Sequence, residues 1–442
     1  MLFISLILAA AVQAQTGEVP ELGTRKGGVD WPGFLGPDHD SKSPEKGIRW
    51  PAEGPRKVWE RKLGISYGIC SIYRGRAFQF DRSGKSAVLY CLKSETGEEL
   101  WKFEYPSEYD DMYGYDPGPR CCPVVDGDRV YILGVEGLLH CLQVADGKLL
   151  WKKDTTQEFG VVQNFFGVGS TPIVEGELLI CQIGGSPANS PGIQSGEVKG
   201  NGSGIVAFDK RTGALKYKIT DELASYASPV TTTIDGRRWG FLFARGGLVG
   251  FEPATGKVDF QYPWRARILE SVNASNPVVA GDLVLISECY GVGSSVLKVK
   301  PGGYEVVWSD GRKRDRALMT HWNTPIHLDG FVYGSSGRHT QEAELRCVEL
   351  ATGTVQWSQP RLTRSSLLYV DGHFVCLGED GALRLIKATS KQYEEVWKLV
   401  LKSPEGEPLL KYPAWAAPIL SHGLLYVRGK DRLVCLELIP QN

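Results

Sequence analysis

The chain has 442 residues, 10% of them aromatic, with 53 glycines and a formal net charge of −1. Acids and bases are interspersed, which excludes the basic face of a general nucleic-acid binder or of a protein held on an anionic membrane. Length alone would allow two or three domains, but short apolar runs bounded by glycine turns recur throughout and no long window carries helical periodicity, so the chain reads as all-β.

Residues 1–14 hold an apolar run from Leu2 to Val12 and end in Val12-Gln13-Ala14, whose small side chains suit signal-peptidase cleavage. The run is too short to span a bilayer. The expectation is a cleaved signal peptide, a mature chain starting near Gln15, a periplasmic or secreted location and no transmembrane anchor. No cysteine follows the cleavage site to carry a lipid. Residues 15–57 are rich in Gly, Pro and charge and read as an extended arm over the following domain, pinned by Trp31, Phe34 and Trp50.

From residue 58 onward an aromatic anchor returns eight times, at Trp59, Trp101, Trp151, Tyr217, Phe260, Trp308, Trp357 and Trp397. Ten residues before five of these stand Cys91, Cys141, Ala207, Gly250 and Cys347, and between lies a turn: Thr96-Gly97, Asp146-Gly147, Thr212-Gly213, Thr255-Gly256 or Thr352-Gly353. Each unit is a β-hairpin, and the mean repeat of about 48 residues is in the range of β-propeller blades. Two further apolar segments joined by a glycine turn, as in Val124-Val125-Asp126-Gly127-Asp128-Arg129-Val130-Tyr131, bring the count to four strands per repeat. Trp59 has no strands of its own before it, while the segments 417–419, 424–427 and 433–436 have no anchor after them. Residues 58–442 therefore read as an eight-bladed propeller of four-stranded antiparallel blades, its ring closed by an N-terminal strand that joins the C-terminal blade and leaves no open edge.

Ten cysteines in an exported chain would suit a disulfide framework. Cys91, Cys141, Cys347 and Cys435 instead share one repeat slot that elsewhere holds Ala207 or Gly250, and slots in different blades are not placed to pair. Cys181, Cys289 and Cys376 fall in apolar second-strand segments and read as core. Cys121-Cys122 stays open between two small residues at a strand start and an oxidised adjacent pair. Other chemistry-bearing patterns are thin. Gly167-Val168-Gly169 and Gly202-Ser203-Gly204 precede no helix and read as turns, no histidine pairs at metal-ligand spacing, and there is no Cys-x-x-Cys-His.

The unit Leu139-His140-Cys141-Leu142 to Lys148-Leu149-Leu150-Trp151, echoed by Gly204-Ile205-Val206-Ala207-Phe208-Asp209 to Thr212-Gly213, resembles the repeat of pyrroloquinoline-quinone-type (quinoprotein-like) propellers. Trp31-Pro32-Gly33-Phe34-Leu35-Gly36-Pro37 is similar to the entry segment of an exported bacterial subfamily of such repeat proteins. The resemblance spans residues 31–438 and implies two kinds of function. One is binding or scaffolding, as in BamB, the non-enzymatic propeller of the outer-membrane β-barrel assembly machinery. The alternative is a PQQ-dependent dehydrogenase of an alcohol or sugar, with Ca2+ at the quinone and an adjacent cysteine pair that Cys121-Cys122 could match. A Ca2+ site and a catalytic Asp cannot be placed on this chain by motif, and the long insertions that enclose the quinone are absent.

Loop lengths locate the face that carries function. Turns between first and second and between third and fourth strands are short, whereas residues 103–119, 154–169, 261–274, 309–322 and 402–415, with the insertion 182–203 in blade three, all belong to the opposite face. Side chains where these loops feed the innermost strands should meet at the channel. They are Tyr115, Arg120, Cys121 and Cys122 before blade two, then Asn164 and Phe166 before blade three. Tyr226 precedes blade four, and Asn273 and Asn276 precede blade five. His321, Trp322 and Asn323 lead into blade six, Arg364 into blade seven and Trp415 into blade eight. Aromatic, amide and guanidinium groups together suit a protein segment or a polar small molecule such as a sugar or a quinone carboxylate, with Arg120, Asn276, Trp322 and Arg364 as the expected focus. An alternative for each amide is that it satisfies backbone groups at a strand start.

Overall fold

The computed structural model describes residues 19–161, 165–192, 197–311 and 313–441. Segment 1–14, read as a signal peptide, and Asn164 lie outside the described residues. Eight four-stranded antiparallel sheets follow one another as blades, at residues 71–106, 124–154, 173–219, 230–263, 278–309, 326–360, 365–400 and 419–437. The last is completed by Arg56–Lys62, which pairs antiparallel with Arg432–Glu437 and sets Trp59 opposite Cys435. The expected closure is therefore the one the chain adopts. Among the described residues no helix is long and apolar enough to cross a membrane.

The anchors explain why one blade fixes the next. In every blade the register of the outer strand pair shifts beside the anchor, a β-bulge that turns the ring toward the neighbouring blade. The small slots face the anchors as the spacing implied: Cys91 opposite Trp101, Cys141 opposite Trp151, Ala207 opposite Tyr217, Gly250 opposite Phe260 and Cys347 opposite Trp357. Trp308 and Trp397, outside the ten-residue frame, face Val296 and Leu385. All ten cysteines are buried and free.

Each anchor then reaches the outer turn of the following blade. Trp59 donates its indole N–H to the Ser94 carbonyl (2.8 Å), Trp101 to Val144 (3.1 Å), Trp151 to Lys210 (3.2 Å), Trp308 to Leu350 (2.7 Å) and Trp357 to Thr389 (3.0 Å). Tyr217 does the same through its hydroxyl to Pro253 (2.7 Å). Phe260 has no donor and instead packs against Tyr304, ring centroids 5.1 Å apart. The turn glycine lies under the ring: a Cβ on Gly147 would come within 2.6 Å of Trp101, and the residue has φ +74°. Trp397 closes the circle by donating to Ala52 (3.1 Å) and covering Gly54, just ahead of the closing strand.

The arm departs from the expected extended path. Trp31 is fully buried and bridges Ile72 of blade one, and Val125 of blade two donates its N–H to the Pro32 carbonyl (2.8 Å). Residues 33–41 then turn, with Leu35, His39 and Ser41 at positive φ, and Lys42–Ser43 runs parallel to the innermost strand of blade seven. That makes it a fifth strand on the channel side. The arm thus crosses the ring at its short-turn end. Apolar packing against both blades one and two, together with the enclosed backbone bonds, offsets the strain of these turns. On the other face outer strands continue to Pro106 and Pro263, so two of the long linkers start a few residues later than their sequence suggests. A short helix, Thr155–Phe159, capped by Asp154, opens a third.

If Arg56–Lys62 closes the ring, deleting residues 56–62 leaves Arg432–Glu437 as a bare edge beside an unsupported first blade. Light scattering of the truncated protein should show self-association, and denaturant unfolding should lose its single steep transition. A monomer with unchanged melting would show that closure lies elsewhere.

Candidate functional site

The ring and the arm enclose a cavity of about 460 Å³ that opens on the long-loop face and is floored by Phe34, Leu35 and Ser41 of the arm. Its size is typical of small-molecule pockets. An aromatic belt surrounds it. Trp415 lies 4.8 Å from both Tyr67 and Trp322, and Tyr115 connects Trp415 (5.9 Å) to Phe166 (5.3 Å), which meets Tyr226 at 5.6 Å. On the other side of Trp322 the belt continues through His321 (5.1 Å) to Tyr290 (5.6 Å). The Trp322 indole donates to the Trp415 carbonyl (3.1 Å), fixing one ring against the next.

Both arginines expected to grip a ligand anion line the cavity, but each already has a carboxylate. Arg120 pairs with Asp111 (2.9 Å), donates to the Asp116 and Gly118 carbonyls and lies over the rings of Tyr67 (5.1 Å) and Tyr109 (5.5 Å). Arg364 holds Glu379 through Nε (3.1 Å) and Nη2 (2.7 Å), and its guanidinium covers Trp322 at 4.5 Å. Burial opposes ionisation of Glu379, yet bonds from Arg364, Trp415 and Thr340 hold its carboxyl below the usual range. These pairs set loops and indoles in place. The bonds of Arg120 and its partner Asp111, which accepts the Tyr113 and Tyr115 N–H groups, tie down the loop carrying these two rings.

Asn273, Asn276 and Cys121 do not line the cavity. Asn273 is buried and donates to the Ala244 carbonyl (2.7 Å). Asn276 belongs to a relay of strand starts. The Cys122 N–H donates to Thr171 Oγ1 (3.1 Å), Thr171 N–H to Ser228 Oγ (2.9 Å), Ser228 N–H to Asn276 Oδ1 (2.8 Å), and Asn276 N–H to Thr324 Oγ1 (3.1 Å). This hoop through five blades is why strand starts carry small polar residues, as the backbone alternative held. Asn323 lines the cavity but is engaged with the Ser335 carbonyl (2.9 Å) and the His321 N–H (3.2 Å).

Cys122 touches the cavity wall, while the Cys121 thiol points to the Ser170 carbonyl (3.2 Å). Burial raises both thiols, Cys122 to about 12, so neither carries thiolate at neutral pH. His321 is also shifted. Burial, followed by the charges of Arg364, Arg338 and His339, lowers it to about 3, and its Nδ1 has no hydrogen-bond partner. The ring is a neutral imidazole throughout the physiological range.

Sequence reasoning missed Tyr67, Tyr290, Arg338 and Glu379. Tyr67 precedes the innermost strand of blade one and follows the rule that found the others. Tyr290 and Arg338 sit in the loops between second and third strands of blades five and six, which share the long-loop face but are too short to stand out. A quinone held by Ca2+ does not fit these residues. Among the described residues no three His, Cys, Asp or Glu side chains converge to bind a metal; Glu379 is consumed by its three donors, and Glu270 is exposed on the rim.

With the geometry in hand, comparison places the fold among known proteins. No curated protein sequence matches. BamB from Moraxella catarrhalis is similar in structure with a TM-score of 0.55 and 13% identity, over 87% of this chain and 98% of that one. Quinohemoprotein alcohol dehydrogenase from Comamonas testosteroni gives 0.62 and 13%, over 93% and 81%. The computationally designed Ika8 protein gives 0.53 and 10%, over 87% and 100%. Identities this low establish the propeller fold and not an activity. A family model matches residues 84–359, more than half of the chain, and by that match the protein belongs to the PQQ-repeat family described as outer membrane protein assembly factor BamB.

Proposed function

We propose that this chain is an exported binding or scaffold protein, cleaved after residue 14 and active in the periplasm or outside the cell, that takes its partner at the long-loop face. The observation that carries this reading is the aromatic belt around a preformed, one-ended cavity. Aromatic rings supply large contact area with little loss of rotamer freedom, and the matched Arg120–Asp111 and Arg364–Glu379 pairs hold them rigid before any partner arrives.

The surface around the mouth supports the same reading. Met112, Tyr113 and Tyr115 of one linker, Ile268 and Leu269 of another and Tyr412 of a third are exposed large apolar side chains on the face where the cavity opens. Apolar groups gathered on one face favour association. The family description names assembly of outer membrane proteins, and a protein chain is a partner this rim suits. A sugar stacked on Trp415 or Trp322 fits the same belt from inside. Dehydrogenation of an alcohol or sugar would need a quinone and a metal that the side chains around this cavity are not arranged to hold.

Tryptophan fluorescence and calorimetry on the mature protein, titrated with oligosaccharides and with extended peptides from outer-membrane proteins, test the proposal. Binding should be seen for a member of one class and should weaken by about tenfold or more in Trp415→Ala, which removes a stacking surface. Arg120→Ala should instead lower the unfolding midpoint, because it leaves the buried Asp111 unpaired. Absorbance titration with PQQ and Ca2+ is the counter-test. A Ca2+-dependent quinone spectrum followed by alcohol oxidation would replace the binding reading with the enzymatic one.

A further inference from the structure

Two of the cavity's arginines are neutralised from within, and a third is not. Arg338 stands at the wall beside Tyr290, its guanidinium 4.7 Å from the ring centroid, and among the described residues no carboxylate pairs with it. His321 contributes an unpartnered Nδ1 while its Nε2 meets the Tyr290 hydroxyl at 3.4 Å, and His339 lies next in sequence. Arg364, also on the wall, donates to the Arg338 carbonyl (3.1 Å), so the backbone that carries Arg338 is itself fixed. Tyr290 is held in the same way. Glu288 accepts the N–H groups of Tyr290 (2.7 Å) and Val292 (2.6 Å), which sets the loop in one conformation.

Charge bookkeeping makes this corner distinct. Arg120 and Arg364 each pair with one buried carboxylate, whereas Arg338 has no ion-pair partner among the described residues and the carboxylate of Glu270 on the same wall is exposed at the rim. A cation on the face of a ring retains donors along its edge, and a planar guanidinium can bind a carboxylate bidentately. Burial first, and after it the charges of Arg364, Arg338 and His339, lower the basicity of His321 in the same corner.

We infer that the Arg338–His321–Tyr290 corner is an anion subsite, and that the cavity takes a small organic carboxylate bearing a flat or ring-shaped apolar body. The carboxylate lies against Arg338 beside the Tyr290 hydroxyl, and the body stacks on the Trp322–Trp415 side of the belt. A volume of about 460 Å³ accepts two fused rings with room for solvent. The inference rests on the reading of this cavity as the binding site and adds the chemical class of what enters it.

The test uses 2-naphthoate and its neutral isostere 2-naphthamide on the mature protein, read by tryptophan fluorescence and calorimetry. The acid should bind about tenfold or more tighter than the amide, as a charge-assisted bond in a shielded site requires. Arg338→Gln should bring the acid down to the affinity of the amide while leaving the amide and the unfolding midpoint unchanged; Arg338→Lys should keep part of the preference. Nitrogen NMR of His321 gives a second readout. Its titration midpoint should rise from about 3 when naphthoate binds, and should also rise in ligand-free Arg338→Gln, because each change removes positive charge from the ring's surroundings. Equal affinity for acid and amide, or an Arg338→Gln variant that keeps the acid's advantage, overturns the anion subsite and leaves cavity binding intact. If neither compound binds, the anion subsite falls, while the binding reading of the cavity stands or falls with the oligosaccharide and peptide titrations.

Discussion

Everything in this molecule depends on an aromatic ring of one blade lying on the outer turn of the next. The contact is steric and polar together. A glycine at positive φ lets the backbone pass directly beneath the indole, and the ring N–H satisfies a carbonyl that the turn leaves free. One such hydrogen bond contributes about 0.5–1.5 kcal/mol net, and most of the stabilisation comes from burying the ring's apolar face. Because blade eight is built from both ends of the chain, the contact of Trp397 with Ala52 and Gly54 transmits the same spacing across the join.

Closure on this pattern brings eight innermost strands around a common axis, and the strand starts are tied by the relay from Cys122 to Thr324. The arm then blocks one end and turns a channel into a cavity. Within it, buried arginines would be costly unless matched. Asp111 and Glu379 match two of them, and the guanidinium planes that result back the rings of Tyr67 and Trp322. The polar groups of the wall therefore serve mainly to position aromatic surface.

The architecture was legible because its determinants are local and repeated. A ten-residue spacing from Cys91 to Trp101 is two strands and a turn, and it reports a register directly. Unmatched segments at both ends reported the closure. The site was legible in part: the rule that linkers feed the channel brought Tyr115, Phe166, Tyr226, Trp322 and Trp415 to one cavity. It brought Arg120 and Arg364 to the same wall, but residue type does not reveal that a carboxylate nine residues before or fifteen after pairs with each. Asn273 and Asn276 fall to the backbone for the same reason, since a buried strand start must satisfy its N–H groups. The path of the arm was hidden as well. Three residues other than glycine at positive φ form its turns, a choice imposed by the channel it fills and not by local preference.

Two glycines of blade two separate the ring-on-turn contact from ordinary turn strain. Gly127 (φ +57°) and Gly147 (φ +74°) both occupy left-handed turns, but a Cβ on Gly127 would meet nothing within 4 Å, whereas on Gly147 it would strike the Trp101 ring. Denaturant unfolding of Gly127→Ala and Gly147→Ala measures the difference. Both lose the cost of placing Ala at positive φ, and Gly147→Ala should lose about 1–3 kcal/mol more by displacing the indole, an excess that should vanish when Trp101 is also changed to Ala. Equal destabilisation of the two variants would contradict the claim that the anchors hold the ring together.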